Sequence, residues 1–318
     1  MNKLGFALGL LLAGLASVTA QVRVDVQLEQ EQFLPGETMS AAVRITNRSG
    51  QTLKLGGQED WLIFSIESPD GQVVRKLDEA PVLGEFTLET AKMATKHVNL
   101  APYFSLDQPG RYSLVATVKI KEWDNEVSSP PRGFNIIQGA KLWEQEFGVP
   151  VPDAPANTPP EVRKYTLQQA NYLKAFLRLY LRVTDVNSGK SIRVRAVGQM
   201  LSFSRPEAQV DRSNNVHVLF QNSPHAHMYA VYDPDGNLVQ RQTYDYVTSR
   251  PRLAVDTEGK LGVAGGVRHE SSSDFPPSKE AGYEADSSFG TNGVPTGTNN
   301  IPATTNRPSA STNGPTAK

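Results

Sequence analysis

The chain has 318 residues and no cysteine, and its 32 basic and 33 acidic side chains give a formal net charge of −1. The lack of cysteine excludes disulfides, thiolate zinc sites and cysteine nucleophiles. The balanced charge lacks the basic excess typical of nucleic-acid-binding proteins and polybasic membrane patches. Secreted animal domains of this size usually carry disulfides, so the composition favours a bacterial protein of the envelope or the secreted fraction.

Residues 1–20 predict a cleavable secretory signal peptide. Lys3 precedes an apolar run over residues 4–15, and Val18 and Ala20 occupy the two small-residue positions that signal peptidase reads. The run is shorter than the roughly 20 apolar residues that span a bilayer, and no other stretch approaches that length. We therefore expect the rest of the chain to be periplasmic or secreted, with no integral membrane segment.

Residues 21–139 predict a β-sandwich. Apolar and polar residues alternate with period two in residues 22–26 and 42–45, and turn signals such as Asp70-Gly71 and Pro109-Gly110 separate such segments. No long run of helical period lies between them. We therefore expect an all-β domain in which antiparallel sheets pack face to face.

One segment of this domain refines the prediction. Residues 107–114 read Asp-Gln-Pro-Gly-Arg-Tyr-Ser-Leu and resemble the start of strand F in immunoglobulin-like domains, where a tyrosine hydrogen-bonds back to the preceding turn. Leu114 stands where antibody domains have cysteine, so the resemblance is to the broad class of immunoglobulin-like sandwiches and not to antibody domains. It implies that the Tyr112 hydroxyl bonds to the turn before it.

A second resemblance concerns residues 44–47, 64–66 and 70–74, which read Arg-Ile-Thr-Asn, Phe-Ser-Ile and Asp-Gly-Gln-Val-Val. They are similar to the strands and turns of a bacterial proteinase-inhibitor family built on the same sandwich. The motif is a polar hairpin, a buried strand and an Asp-Gly turn, so it specifies the fold far better than inhibition. It nevertheless gives an alternative function, a proteinase inhibitor acting through a loop of the first domain.

Residues 140–163 predict a semi-rigid, extended linker, because prolines at positions 150, 152, 155, 159 and 160 forbid a continuous helix or a central strand. Residues 164–268 then predict a second β-rich domain with a near-repeat. Arg205-Pro206 and Val210-Asp211 recur 45 residues later as Arg250-Pro251 and Val255-Asp256. This spacing resembles a β-propeller blade, but two units cannot close a propeller. We expect a pair of packed, blade-like β-meanders.

Residues 269–318 predict a disordered tail. Of the 48 residues from 271 onward, 31 are Ser, Thr, Asn, Gly or Pro. Such a segment buries too little apolar surface to offset its ordering entropy.

Histidines give the best metal candidates, and they are weak ones. His225 and His227 could face one side of an extended segment, and His217 precedes them by one hairpin. A polar hairpin loop explains the same residues, and no carboxylate has an obvious spacing as a ligand or orienting partner. Serines lie outside any nucleophile-elbow motif, and no phosphate-binding glycine loop follows a strand. We therefore expect no metal, no cofactor and no enzymatic activity.

Aromatic residues give a candidate binding surface, because Trp61 and Trp123 lie beside charged residues. Amphipathic packing at domain edges is the competing interpretation. As a whole the chain resembles exported bacterial proteins that have an immunoglobulin-like first domain and no assigned activity. The leading hypothesis is a non-enzymatic, exported binding or structural protein whose partner is an envelope protein or polysaccharide. The alternatives are the proteinase inhibitor and a metal-dependent enzyme centred on the three histidines.

Overall fold

The computed structural model describes residues 22–151, 153, 155 and 158–277. These residues form 21 β-strands and two short 3-10 helices, at Ala101–Tyr103 and Lys121–Trp123. The prediction of an all-β fold is therefore confirmed. The predicted signal peptide and the predicted tail beyond residue 277 lie outside the described residues.

The first domain is a β-sandwich, as the alternation predicts. One sheet contains three strands and the facing sheet five, and a further pair of short strands lies apart from both. The ten strands are β1 (Val22–Leu28), β2 (Gln32–Phe33), β3 (Ser40–Asn47), β4 (Leu53–Leu55), β5 (Leu62–Glu67), β6 (Phe86–Leu88), β7 (Met93–Asn99), β8 (Gly110–Ile120), β9 (Asn125–Ser128) and β10 (Arg132–Ile136).

The sheets have the orders β1-β3-β7 and β2-β10-β8-β5, with β9 also paired to β8, and β4 pairs with β6. Alternate side chains of both sheets meet in one core. In β8, for example, every second residue from Tyr112 to Ile120 is buried. The hydroxyl of Tyr112 donates a hydrogen bond of 2.7 Å to the carbonyl oxygen of Gln108, so the predicted contact with the preceding turn is confirmed.

The second domain begins with a four-stranded antiparallel meander in the order β11-β12-β13-β14. Its strands are β11 (Ala140–Val149), β12 (Glu161–Tyr172), β13 (Phe176–Asp185) and β14 (Ser191–Met200). The prediction of a linker over residues 140–163 is therefore wrong at both ends. Within the predicted linker, the segment that connects two strands is residues 150–160, and it contains all five prolines. Apolar alternation does not indicate β11, because β11 is an edge strand in which only Phe147 is buried.

The remaining strands build the second sheet and a separate hairpin. They are β15 (Glu207–Val210), β16 (Val216–Gln221), β17 (Ala226–Tyr232), β18 (Leu238–Asp245), β19 (Arg252–Val255), β20 (Leu261–Ala264) and β21 (Val267–His269). The sheet has the order β15-β16-β17-β18-β21, and β19 pairs only with β20 within the described residues.

This domain has three layers. One face of the second sheet buries Val218 and Phe220 against the β11–β14 meander. Its other face buries Leu219 and Tyr229, and the hairpin covers them with Leu253 among others. The prediction of packed β-meanders is confirmed. The two near-repeat units are β15–β16 and β19–β20, which lie in adjacent layers.

In each near-repeat hairpin, an aspartate side chain accepts the backbone hydrogen bonds that form the turn. Oδ1 of Asp211 accepts backbone N–H groups from the residues two and four positions later, both at 2.8 Å, and Asp256 does the same at 2.9 and 2.8 Å. Asp233 repeats the arrangement between β17 and β18. These side chains mimic a backbone turn, which explains why the same short pattern recurs along the domain.

The two domains dock directly on one another. Leu34 of the first domain is buried in a cluster with Tyr180 and Val194 of the second. A guanidinium nitrogen of Arg182 donates a hydrogen bond of 2.8 Å to the carbonyl oxygen of Pro35. Residues 137–139, which connect β10 to β11, are therefore not the only tie between the domains. The proline segment lies within the second domain, because it connects β11 to β12.

Residues beyond β21 continue to pack on the second domain. Phe275 and Arg241 exchange backbone hydrogen bonds of 2.8 and 3.0 Å, and Asp274 is buried in an ion pair with Arg268. The predicted start of the tail at residue 269 is therefore too early. The buried Asp274 carboxylate and the backbone hydrogen bonds of Phe275 hold a segment whose overall composition is polar.

Candidate functional site

The proposed aromatic surface does not exist at Trp61. Its side chain is 2% exposed, its ring packs edge-on against Phe86 at 5.7 Å, and its Nε1 donates to the carbonyl oxygen of Val82. Trp123 is half-buried and packs against the same core. The prediction that Trp61 forms a binding surface is wrong, because the charges that precede it in sequence belong to an exposed turn while the indole enters the sandwich.

His217 is part of a buried polar chain. Its Nδ1 lies 2.6 Å from the Tyr229 hydroxyl, and its Nε2 lies 3.1 Å from Oδ2 of Asp211. The histidine therefore has the carboxylate partner that sequence reasoning missed, since Asp211 serves the turn as well. Burial alone would raise the pKa of Asp211, but hydrogen bonds from Asn215 and His217 hold that pKa below its ordinary value.

The three histidines do not converge. His217 pairs in register with Val231, which lies four residues along β17 from His227. At about 3.3 Å per residue the two histidine positions are roughly 13 Å apart. His225 is exposed in the turn before β17. Across the part of the chain that the structure describes, no three His, Asp or Glu side chains gather in a metal-binding cluster.

A different group of side chains does come together, around an open cavity of about 950 Å³ at the end of the domain where β15 and β19 begin. Two segments line it, residues 203–207 and residues 249–252, together with the end of β20. The side chains that define this arginine cavity are Phe203, Ser204, Arg205, Glu207, Arg250 and Arg252.

The near-repeat explains why the arginines meet. Arg205 precedes β15 by two residues and Arg250 precedes β19 by two residues, so both occupy the same position in their units. Because β15 and β19 lie in adjacent layers, equivalent positions arrive at the same end of the domain. Arg252, the first residue of β19, adds a third guanidinium. The sequence signal was the repeated Arg-Pro pair, which sequence reasoning used only for architecture.

The cavity carries an excess of positive charge. Arg205, Arg250 and Arg252 are exposed, and their guanidinium groups form no hydrogen bond or ion pair with any residue that the structure describes. Glu207 is the one acidic residue in the lining, and its Oε2 accepts the backbone N–H of Leu253 at 2.7 Å. The site therefore holds three cations and one fixed carboxylate.

Some buried side chains of this domain have polar atoms without partners among the described residues, and one of them, Ser204, lines the cavity. Ser204 is 8% exposed, and its Oγ has no hydrogen-bond partner among the described residues. Both ring nitrogens of His227 are buried and equally unpartnered there. Burial lowers the pKa of His227, the charge of Arg250 lowers it further and the charge of Glu207 opposes the shift.

Comparisons with known proteins add little. No protein-family model matches the chain, and a search of curated proteins finds no match. Among solved structures, the sporulation control protein Spo0M of Bacillus subtilis is similar over 71% of this chain and 90% of its own, at 12% identity and a TM-score of 0.28. A likeness at that level carries no argument about this chain. The described residues include no helix long and apolar enough to cross a membrane.

Proposed function

We propose that this protein is a non-enzymatic, exported binding protein whose second domain binds a partner with closely spaced anionic groups. The observation that carries the proposal is the arginine cavity, in which Arg205, Arg250 and Arg252 face solvent without protein partners in the described residues. Guanidinium groups bind carboxylate, sulfate and phosphate in two-point geometry. The signal peptide that residues 1–20 predict supports an envelope or extracellular partner.

The chemistry of the lining favours binding over turnover. Arginine stays protonated at physiological pH, so the three guanidiniums can hold an anion but cannot take up or release its protons. Glu207 is already fixed to the backbone of Leu253. The Asp211–His217–Tyr229 chain lies on the sheet face that the β19–β20 hairpin covers, and His217 is only 6% exposed. That chain stabilises the domain and offers no surface to a substrate.

The expected affinity is modest. Hydrogen bonds to charged groups contribute roughly 1.5–3 kcal/mol each, and association itself costs on the order of 4–15 kcal/mol. Three arginine contacts of up to about 3 kcal/mol each therefore leave at most about 5 kcal/mol, which corresponds to a dissociation constant of roughly 0.1–1 mM for one short ligand. A polymer that repeats the anionic group would bind more tightly, because rebinding raises the effective concentration.

The test is isothermal titration of the mature chain with two anionic oligomers, a hexaglutamate and a hexamer of galacturonate, at low and at physiological salt. At least one should bind, and salt should weaken it. Replacing Arg205, Arg250 and Arg252 together by alanine should lower the affinity at least tenfold. The matched control replaces three exposed first-domain arginines by alanine, Arg44, Arg48 and Arg111. Binding of neither oligomer, or equal losses in both triple variants, would refute the proposal.

One observation favours proteinase inhibition as a second candidate function. Two hydrogen bonds fix the connection from β5 to β6. The backbone N–H of Leu77 donates to the Tyr103 carbonyl at 2.8 Å, and Nε1 of Trp61 donates to the Val82 carbonyl. Leu83 follows and is 75% exposed. A braced segment with an exposed apolar side chain suits a protease subsite. The test is a protease panel in which Leu83→Asp should abolish any inhibition and the equally exposed Val73→Asp should not.

A further inference from the structure

We infer that the arginine cavity takes a segment of an acidic polysaccharide, with carboxylates on the arginines and the face of a sugar ring on Phe203. The inference rests on the proposed function and names the ligand class for the same site. The inference uses more than the positive charge of the cavity, because the lining also contains an aromatic ring, an unpartnered hydroxyl and a carboxylate. Each of these side chains matches a different part of an acidic sugar.

Phe203 supplies the apolar contact. Its side chain is 78% exposed although it is a large aromatic ring, and it lies beside the cationic groups of the cavity. The turn that bears it is fixed, since Leu201 N–H donates to Gln221 and Ser204 N–H donates back to Leu201, at 3.0 and 3.2 Å. Aromatic side chains with a few well-placed polar groups are typical of ligand sites. The C–H face of a pyranose is an apolar surface that a fixed ring can cover.

Ser204 and Glu207 supply contacts for hydroxyl groups. The Oγ of Ser204 is buried and has no partner among the described residues, so a ligand hydroxyl would relieve the desolvation cost of this group. Only Oε2 of Glu207 is engaged by the backbone, and its other oxygen can accept from a sugar hydroxyl. A ligand made only of anionic groups would be repelled by this carboxylate. Uronic acid residues carry both the carboxylates that the arginines need and the hydroxyl donors that Glu207 needs.

The size and openness of the cavity suit a polymer. A volume of about 950 Å³ lies at the upper end of the roughly 300–1,000 Å³ that ligand pockets span, so several sugar units fit. The three arginines are exposed, so the cavity is open to solvent where they lie. Repeating carboxylates on a chain can then meet arginines that belong to two different repeat units.

The experiment compares three classes of probe on the mature chain by isothermal titration. The first class is uronate hexamers of galacturonate, of alginate and of hyaluronan type. The second is the same oligomers with their carboxyl groups reduced, which keeps rings and hydroxyls and removes charge. The third is hexaglutamate, which keeps charge and removes rings. At least one uronate oligomer should bind at least tenfold more tightly than both its reduced form and hexaglutamate.

Variants separate the two levels of the proposal. Phe203→Ala should weaken uronate binding about tenfold and leave any hexaglutamate binding unchanged, whereas Met93→Ala, an exposed apolar residue of the first domain, should change neither. If hexaglutamate matches the uronates and Phe203→Ala has no effect, the polysaccharide inference fails while anion binding stands. If a reduced oligomer binds as well as its acid, the role of the arginines fails. If no probe binds, both proposals fail.

Discussion

The indole Nε1 of Trp61 donates a hydrogen bond of 2.7 Å to the carbonyl oxygen of Val82. This bond ties the start of β5 to the connection that leads to β6. It also satisfies a carbonyl group that would otherwise be buried without a partner. A residue whose acidic neighbours suggest a surface role is therefore an anchor of the first-domain core.

Replacing Trp61 by phenylalanine should lower the free energy of unfolding by about 2–4 kcal/mol, because it leaves a cavity and removes the partner of the Val82 carbonyl. Urea denaturation followed by circular dichroism measures the change. Trp123→Phe is the matched control and should cost less than about 1 kcal/mol, since its side chain is half-buried. Equal losses in the two variants would contradict the burial of Trp61.

The Tyr112 hydroxyl has a separable effect. Tyr112→Phe keeps the ring on Phe134 and removes only the bond to the Gln108 carbonyl, so it should cost about 1 kcal/mol. Tyr112→Ala also removes the ring and should cost about 3 kcal/mol. Both changes are measured by denaturant unfolding. A Tyr112→Phe variant as stable as the parent chain would show that the hydroxyl contributes nothing.

Direct docking of the domains predicts cooperative unfolding. Because Leu34 is 1% exposed between them, the two domains should unfold in one calorimetric transition, and Leu34→Asp should divide that transition into two. Val73→Asp introduces the same charge at a position that is 70% exposed and should leave one transition. Two transitions in the parent chain would instead show that the domains unfold independently and that only the chain at residues 137–139 joins them.

The near-repeat provides its own control for the Asp211–His217 pair. Asp211→Asn keeps the oxygen that accepts the backbone hydrogen bonds of the turn but replaces the oxygen that His217 contacts. It should therefore lower the free energy of unfolding by about 1–2 kcal/mol at pH 7. Asp256→Asn alters the equivalent turn, and the position that matches His217 is Gly262, which has no side chain to contact the aspartate. This variant should therefore lower the free energy of unfolding by less.

This pair also has a defined pH dependence. Since the pKa of Asp211 in the folded state lies below its ordinary value of 3.8, its contribution is present above pH 3.8 and is lost as pH falls through the folded pKa. The difference in unfolding free energy between Asp211→Asn and the parent chain should therefore shrink in acid. A constant difference down to low pH would contradict a lowered pKa of Asp211 in the folded state.

His227 should make the second domain less stable in mild acid. Its pKa in the folded state lies below the ordinary 6.5 because of burial and the charge of Arg250. The unfolded chain then binds more protons, so the free energy of unfolding falls as pH drops through 6.5. His227→Phe removes this pH dependence. The free energy of unfolding of the variant, relative to that of the parent chain, should therefore rise as the pH is lowered from 7.5 to 5.5. A relative stability that does not change with pH would show that His227 titrates alike in both states.

The sequence by itself determines the local structure of this protein. Alternation of apolar residues locates strands such as β1 and β3, and Asp-Gly turns locate hairpins, because each signal lies within a few neighbouring residues. The Tyr112 contact spans only four residues, so the same local pattern predicts it. The 45-residue near-repeat likewise indicates two equivalent hairpins before any packing is known.

Only the tertiary structure decides what those hairpins bring together. The burial of Trp61, the place of β11 at a sheet edge and the approach of Arg205 to Arg250 all depend on which sheets pack face to face. Such contacts join residues that are far apart in sequence, and they follow from burying apolar faces of whole sheets, a driving force that is non-directional and leaves no local pattern. The arginines meet because the two repeat units stack in adjacent layers, and that stacking is a property of the folded domain alone.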